Sequence, residues 1–126
     1  MSNIDFSRLV TSQAKAEQAA RAHKDAAKAA CKQRISSQFP IEAQQNVVQA
    51  LTLHTLELSG NAELSLAKTQ MSLSSTEIEL ALQAQAWIGA MQATCRALSS
   101  DPQADMTADE AWPRLTEGAA QLIARF

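Results

Sequence analysis

Between residues 12 and 34 this chain has no aliphatic side chain larger than alanine, and Lys, Arg, Gln and Glu fill most of the other positions. Alanine is the best helix former because ordering it loses no side-chain entropy, and the long polar residues are nearly as good. The stretch is therefore predicted to be one long helix with almost nothing of its own to bury. At 100° per residue, Ala16, Ala19, Ala20, His23, Ala26, Ala27, Ala30 and Cys31 share one side, while Arg21, Lys24, Lys28 and Lys32 share the other. A buried Leu-sized side chain contributes roughly 1.5–3 kcal/mol and an alanine methyl far less. The alanine face thus cannot anchor the helix by area; it offers close backbone approach. The spacing Ala16, Ala19, His23, Ala26 and Ala30 fits a short heptad seam interrupted by polar residues.

The chain's 126 residues suit one small domain or a small domain with an arm. Charge divides the same way. Residues 1–37 carry seven Lys and Arg against three Asp and Glu, whereas residues 38–126 carry four against ten. A net +4 arm and −6 body suit orientation of the arm toward an acidic surface, its own or a partner's; the plainer alternative is a solvated helix face.

Further along, residues 4–10 stand apart as a short segment bearing Phe6, Leu9 and Val10, with Thr11 and Ser12 as N-cap candidates for the alanine helix. That helix should end near Ser36 and Ser37, and Phe39-Pro40 marks a joint, because the residue before proline avoids the α region. Residues 41–59 offer Ile41, Val47, Val48, Leu51, His54, Thr55 and Leu58 on one side, closed by Gly60-Asn61. A shorter helix is predicted over 62–71 through Leu64, Ala67 and Met71. Ser74-Ser75-Thr76-Glu77 reads as a capping box opening a helix to about Leu98, with Ile78, Ala81, Leu82, Gln85, Ile88, Met91, Cys95 and Leu98 in register and Trp87 widening the face. Thr107-Ala108-Asp109-Glu110 reads as a second capping box, Pro113 prevents a long continuation from it, and residues 116–125 form a last helix. The second helix and the one opened at Ser74 carry the broadest apolar stripes and are predicted to be the antiparallel core pair. The expected fold is all-α: an N-terminal arm over 1–37 and a small antiparallel helical bundle over 38–126.

Chemistry is sparse. Cys31 and Cys95 form no CxxC pair and have no His at ligand spacing, so no metal site is expected, and reduced, buried thiols in a cytoplasmic setting fit best. His23 and His54 lack a nucleophile or carboxylate partner at local spacing. Asp101, Asp105, Asp109 and Glu110 lack calcium-loop spacing. Gly60, Gly89 and Gly118 are too scattered to cradle phosphate. No catalytic residue and no cofactor is expected. The first residues have no apolar signal core, and no run is long enough to span a bilayer, so a soluble protein without membrane partners is expected. The ridge of Arg21, Lys24, Lys28, Lys32 and Arg34 could meet an anionic partner. Glu17 and Asp25 among these bases, and a pI of about 5.6, argue against nucleic acid.

Taken in order, Ile4-Asp5-Phe6, Leu9-Val10-Thr11, the alanine-rich charged helix, Cys31-Lys32-Gln33-Arg34-Ile35, Trp87 with Met91-Gln92-Ala93-Thr94-Cys95-Arg96, and Trp112-Pro113 resemble small tail-region proteins of tailed bacteriophages and prophages of Gram-negative bacteria. The resemblance covers most of the chain and implies a non-enzymatic tail component or assembly factor accompanying the tail fibre apparatus. It would be made in the host cytoplasm and could be retained in the virion tail, with itself or other tail proteins as partners. On this reading the docking or oligomerisation element comprises Phe6, Leu9, Val10, Ala16, Ala19, Ala20, His23, Ala26, Ala27 and Ala30. The alternative is a phage- or bacteria-encoded module whose charged surface inhibits or recruits a host protein, of the counter-defence type.

Overall fold

The computed structural model describes residues 2–58 and 73–126, with side chains described over 11–56 and 73–126. The helix expected over 62–71 and the Gly60-Asn61 stop lie outside the described residues. Among the described residues four α-helices follow in chain order: α1 (Ser2–Gln38), α2 (Ile41–Leu58), α3 (Ser75–Ser100) and α4 (Glu117–Arg125), with a 3₁₀ turn at Asp109–Ala111 before the last. The described residues contain no strand, and the all-α fold with a long first helix is as the sequence predicts.

The helix α1 begins well before the expected caps. Residues 2–10 contain neither Pro nor Gly, so a helix nucleated downstream propagates through Thr11 and Ser12 at the cost of fixing one residue per hydrogen bond. The segment expected to stand apart is therefore continuous with the arm. At the other end Phe39 N–H donates to Ile35 O at 2.7 Å, and the Ser36 and Ser37 hydroxyls donate to the carbonyls of Lys32 and Arg34. The Phe39 bond occupies one of the acceptors that the last turn leaves free, and the two hydroxyls add second bonds to carbonyls within it. Pro40 then breaks the chain direction, and its carbonyl accepts from Gln44 N–H at 2.9 Å as α2 starts.

At Ser74 both halves of the capping box form: Glu77 N–H donates to Ser74 Oγ (3.2 Å), and Ser74 N–H donates to Glu77 Oε1 (3.0 Å). Thr116 caps α4 by accepting from Ala119 N–H at 3.2 Å. The second expected capping box does not form. Asp105 takes both the amide and the hydroxyl of Thr107 instead, making an Asx turn that leaves the short 3₁₀ turn without a side-chain cap.

The helix α3 is the spine of the molecule. His23 meets Leu98 and Cys31 meets Met91, so α1 runs antiparallel to its C-terminal half. Thr116 meets Gln83 and Arg125 pairs with Glu77, so α4 runs antiparallel to its N-terminal half. The principal helix pair is therefore α1 with α3, and not α2 with α3, which touch only slightly. The reason is physical: alanines and Cys31 let the α1 backbone approach closely, and stripe breadth does not decide which helix a stripe meets.

The second helix also turns differently. It buries Ala43, Val47 and Ala50, whereas Ile41 and Val48 are 58% and 50% exposed. On α3 the buried line is Ala81, Ala84, Trp87 and Met91, with Leu82 left 54% exposed. Phe39, Val47 and Met91 are the largest fully enclosed side chains, and Trp112, Leu122 and Ile123 close the core beside Trp87. Both indole N–H groups are satisfied, Trp87 by Pro113 O (3.1 Å) and Trp112 by Met106 O (3.0 Å).

Local geometry at two positions of α3 carries measurable consequences. Gly89 sits on the exposed side of the helix, and a Cβ there would meet nothing within 4 Å. Gly89→Ala should stabilise the protein by about 0.5–1 kcal/mol, read as a higher denaturant midpoint at constant slope.

The Glu77 carboxyl is held below the usual carboxylate range, first by the Ser74 backbone N–H and further by Arg125 and the Ser74 hydroxyl. A depressed carboxyl contributes stability above its unfolded value of about 4.3, and that contribution disappears as pH falls through the lower folded value. The midpoint difference between wild type and Glu77→Gln should thus be present at neutral pH and vanish in strong acid.

Candidate interaction surface and groove

Along α1 the surroundings change at His23. Residues 12–22 are all exposed, so Ala16, Ala19 and Ala20 form an alanine face that none of the described residues buries. From His23 onward the same face turns inward, with Ala26 still exposed. His23 is half-buried with Nε2 2.8 Å from Leu98 O; a carbonyl only accepts, so Nε2 carries the hydrogen and ties α1 to the end of α3. Ala27 is fully buried, Ala30 is half-buried and Cys31 is 6% exposed.

Of the residues proposed from sequence as an interface, His23, Ala27 and Ala30 are thus engaged by the chain's own body. Ala16, Ala19, Ala20 and Ala26 remain exposed. Phe6, Leu9 and Val10 lie on the first turns of the α1 backbone, and their side chains fall outside the described set. The expectation that the whole arm needs an outside surface is corrected for its second half. Alanine spacing could not signal this, since the buried and exposed alanines belong to one uninterrupted stripe.

The basic ridge divides similarly. Arg21, Lys24, Lys28 and Lys32 are exposed. Arg34 instead turns into the body, donating to Asp109 Oδ1 (3.0 Å) and Thr107 O (3.3 Å) while its guanidinium stacks 5.4 Å from the centre of the Trp112 ring. This clamp fastens the end of α1 to the 106–112 segment and withdraws Arg34 from the set available to an anionic partner. The other acidic residues of the loop after α3, Asp101, Asp105 and Glu110, are exposed, and the Asp105 carboxyl is held below its usual range by the Thr107 hydroxyl and amide.

Where α1, the start of α2 and α3 meet, an open groove of about 710 Å³ is lined by Cys31, Ile35, Ile41 and Cys95 on its apolar parts and by Lys28, Lys32 and Arg96 among its polar ones. Among the described residues no carboxylate lines it. Both cysteines are free thiols. Cys31 donates toward Met91 O (3.6 Å), one turn before Cys95 on α3, and both cysteines line the groove. Burial, and then Cys95, pushes the Cys31 thiol up. The two cysteines are 64 positions apart, and only the antiparallel register of α1 on α3 brings them together, so local spacing carried no sign of the pair.

His54 is half-buried on α2, and among the described residues no group of three His, Cys, Asp or Glu is arranged to hold a metal ion. No described helix is long and apolar enough to cross a membrane. No protein-family model matches the chain, and no curated protein and no solved structure shows significant similarity to it.

Proposed function

We propose that the protein is a non-enzymatic assembly or structural component, acting through helix-mediated protein association, in the tail of a bacteriophage or prophage. The observation that carries the association is the uncovered alanine face of residues 12–22, continuous with the stripe that the chain itself packs tightly from His23 onward. One helix thus shows what its face is good for in its second half and leaves the same kind of face open in its first. Ala16, Ala19 and Ala20 allow another helix to lie close, which suits repeated, closely spaced assembly. The tail assignment rests on the order of motifs from Ile4-Asp5-Phe6 to Trp112-Pro113.

A second reading, a module that binds a host protein, draws on the exposed cations Arg21, Lys24 and Lys28 on the opposite side of the same helix. The two separate on an affinity-tagged protein expressed with the other tail genes of its source. On the tail reading it co-purifies with tail proteins or with further copies of itself, and Ala16→Glu with Ala19→Glu abolishes this without moving the thermal transition. Capture of a host protein that depends on Arg21 and Lys24, with no tail protein retained, supports the second reading and overturns the first.

A further inference from the structure

We propose that Cys31 and Cys95 form a reversible intramolecular disulfide that staples α1 to α3. In this pair Cys95 meets a small disulfide oxidant in the groove and Cys31 completes the exchange. Cys31 reaches across the antiparallel seam to Met91 O, one turn before Cys95 on α3, and the two cysteines line the same groove. Helix axes about 8–10 Å apart, with Cα atoms about 2.3 Å from each axis, bring facing Cα atoms close to the roughly 4.4–6.8 Å that a disulfide requires.

Access sets the order of events. Cys95 is half-buried and opens on the groove, while Cys31 is nearly enclosed and points toward Met91 O. The raised thiol of Cys31 agrees with its acting second. Lys28, Lys32 and Arg96, with no carboxylate beside them among the described residues, draw an anionic reagent such as oxidised glutathione to the opening. In the first step Cys95, having lost its proton to solvent, attacks one sulfur of the reagent. The reagent's S–S bond breaks, one thiolate leaves and takes up a proton, and a mixed disulfide remains on Cys95. Cys31 then gives its proton to water and attacks the Cys95 sulfur, expelling the second thiolate. The protein pair loses two electrons, and the reagent is reduced to two thiols.

The full-length protein, incubated with oxidised glutathione and analysed by intact mass and peptide mapping, should lose two hydrogens. It should show a Cys31–Cys95 linkage, keep no glutathione and remain free of interchain disulfides. Its denaturant midpoint should rise and return to the starting value with dithiothreitol. Cys31→Ser should stop at a stable single adduct on Cys95, and folded Cys95→Ser should stay unmodified. A lasting glutathione adduct on wild-type Cys95 beside a reduced Cys31, or a chain-to-chain disulfide in place of the internal one, would overturn the proposal. So would an internal disulfide that lowers the midpoint.

Discussion

Phe39→Ala should lower the unfolding free energy by about 3–5 kcal/mol, read as a large fall in denaturant midpoint. Phe39 is 1% exposed and stands at the joint between α1 and α2, in one cluster with Val47, Met91 and Trp112. Removing it takes away the transfer free energy of a buried ring and leaves a cavity within that cluster. Small domains are stable by only about 5–15 kcal/mol, so a loss of this size is a large part of the total. Phe39→Leu, which keeps most of the volume, should cost about 1–2 kcal/mol. Equal effects of the two variants would mean that the joint, and not the filled cavity, carries the stability.

Trp112→Ala should cost a similar 3–5 kcal/mol and should in addition release the end of α1. The ring is 4% exposed, its N–H donates to Met106 O, and Arg34 stacks on it while bonding to Asp109 and Thr107. Truncation therefore removes a core ring and the platform of the Arg34 clamp together. Trp112→Phe separates the parts: it keeps a ring but leaves Met106 O short of a donor, and should cost about 1–3 kcal/mol. Arg34→Ala on its own should cost less than Trp112→Ala, because Asp109 is exposed and a surface ion pair contributes little. A double-mutant cycle between Arg34 and Trp112 should give a coupling energy of about 0.5–1 kcal/mol.

The elements are far more legible in the sequence than their partnerships. The helix start at Ser74 is marked by a hydroxyl placed to receive a free amide, and the break at Phe39-Pro40 comes from proline geometry; both stand in the structure. What is not legible depends on contacts made far away in the chain. Periodicity assigns a face but not a neighbour, so the wide stripe of α2 suggests a pairing with α3 although the small residues of α1 fit there better. The face of α2 itself is misleading because hydropathy favours Ile41 and Val48 over Ala43 and Ala50, whereas close packing favours the alanines. Thr107 has a capping pattern but also an Asp105 two residues before it, and the local Asx turn wins. Arg34 looks like one more base on a ridge until Trp112 is placed beside it across the fold.

Hydrogen exchange along α1, measured first in the dilute isolated chain and then in the assembled state, tests most directly whether one helix serves the body with its second half and a partner with its first. In the isolated chain the amides of residues 27–38 should exchange only with global unfolding and those of 12–22 far faster, since no packing from the body holds them. On assembly the protection of 12–22 should rise by orders of magnitude while that of 27–38 stays as it was. Uniform strong protection of the whole helix in the isolated chain, or assembly that leaves residues 12–22 as open as before, would contradict it.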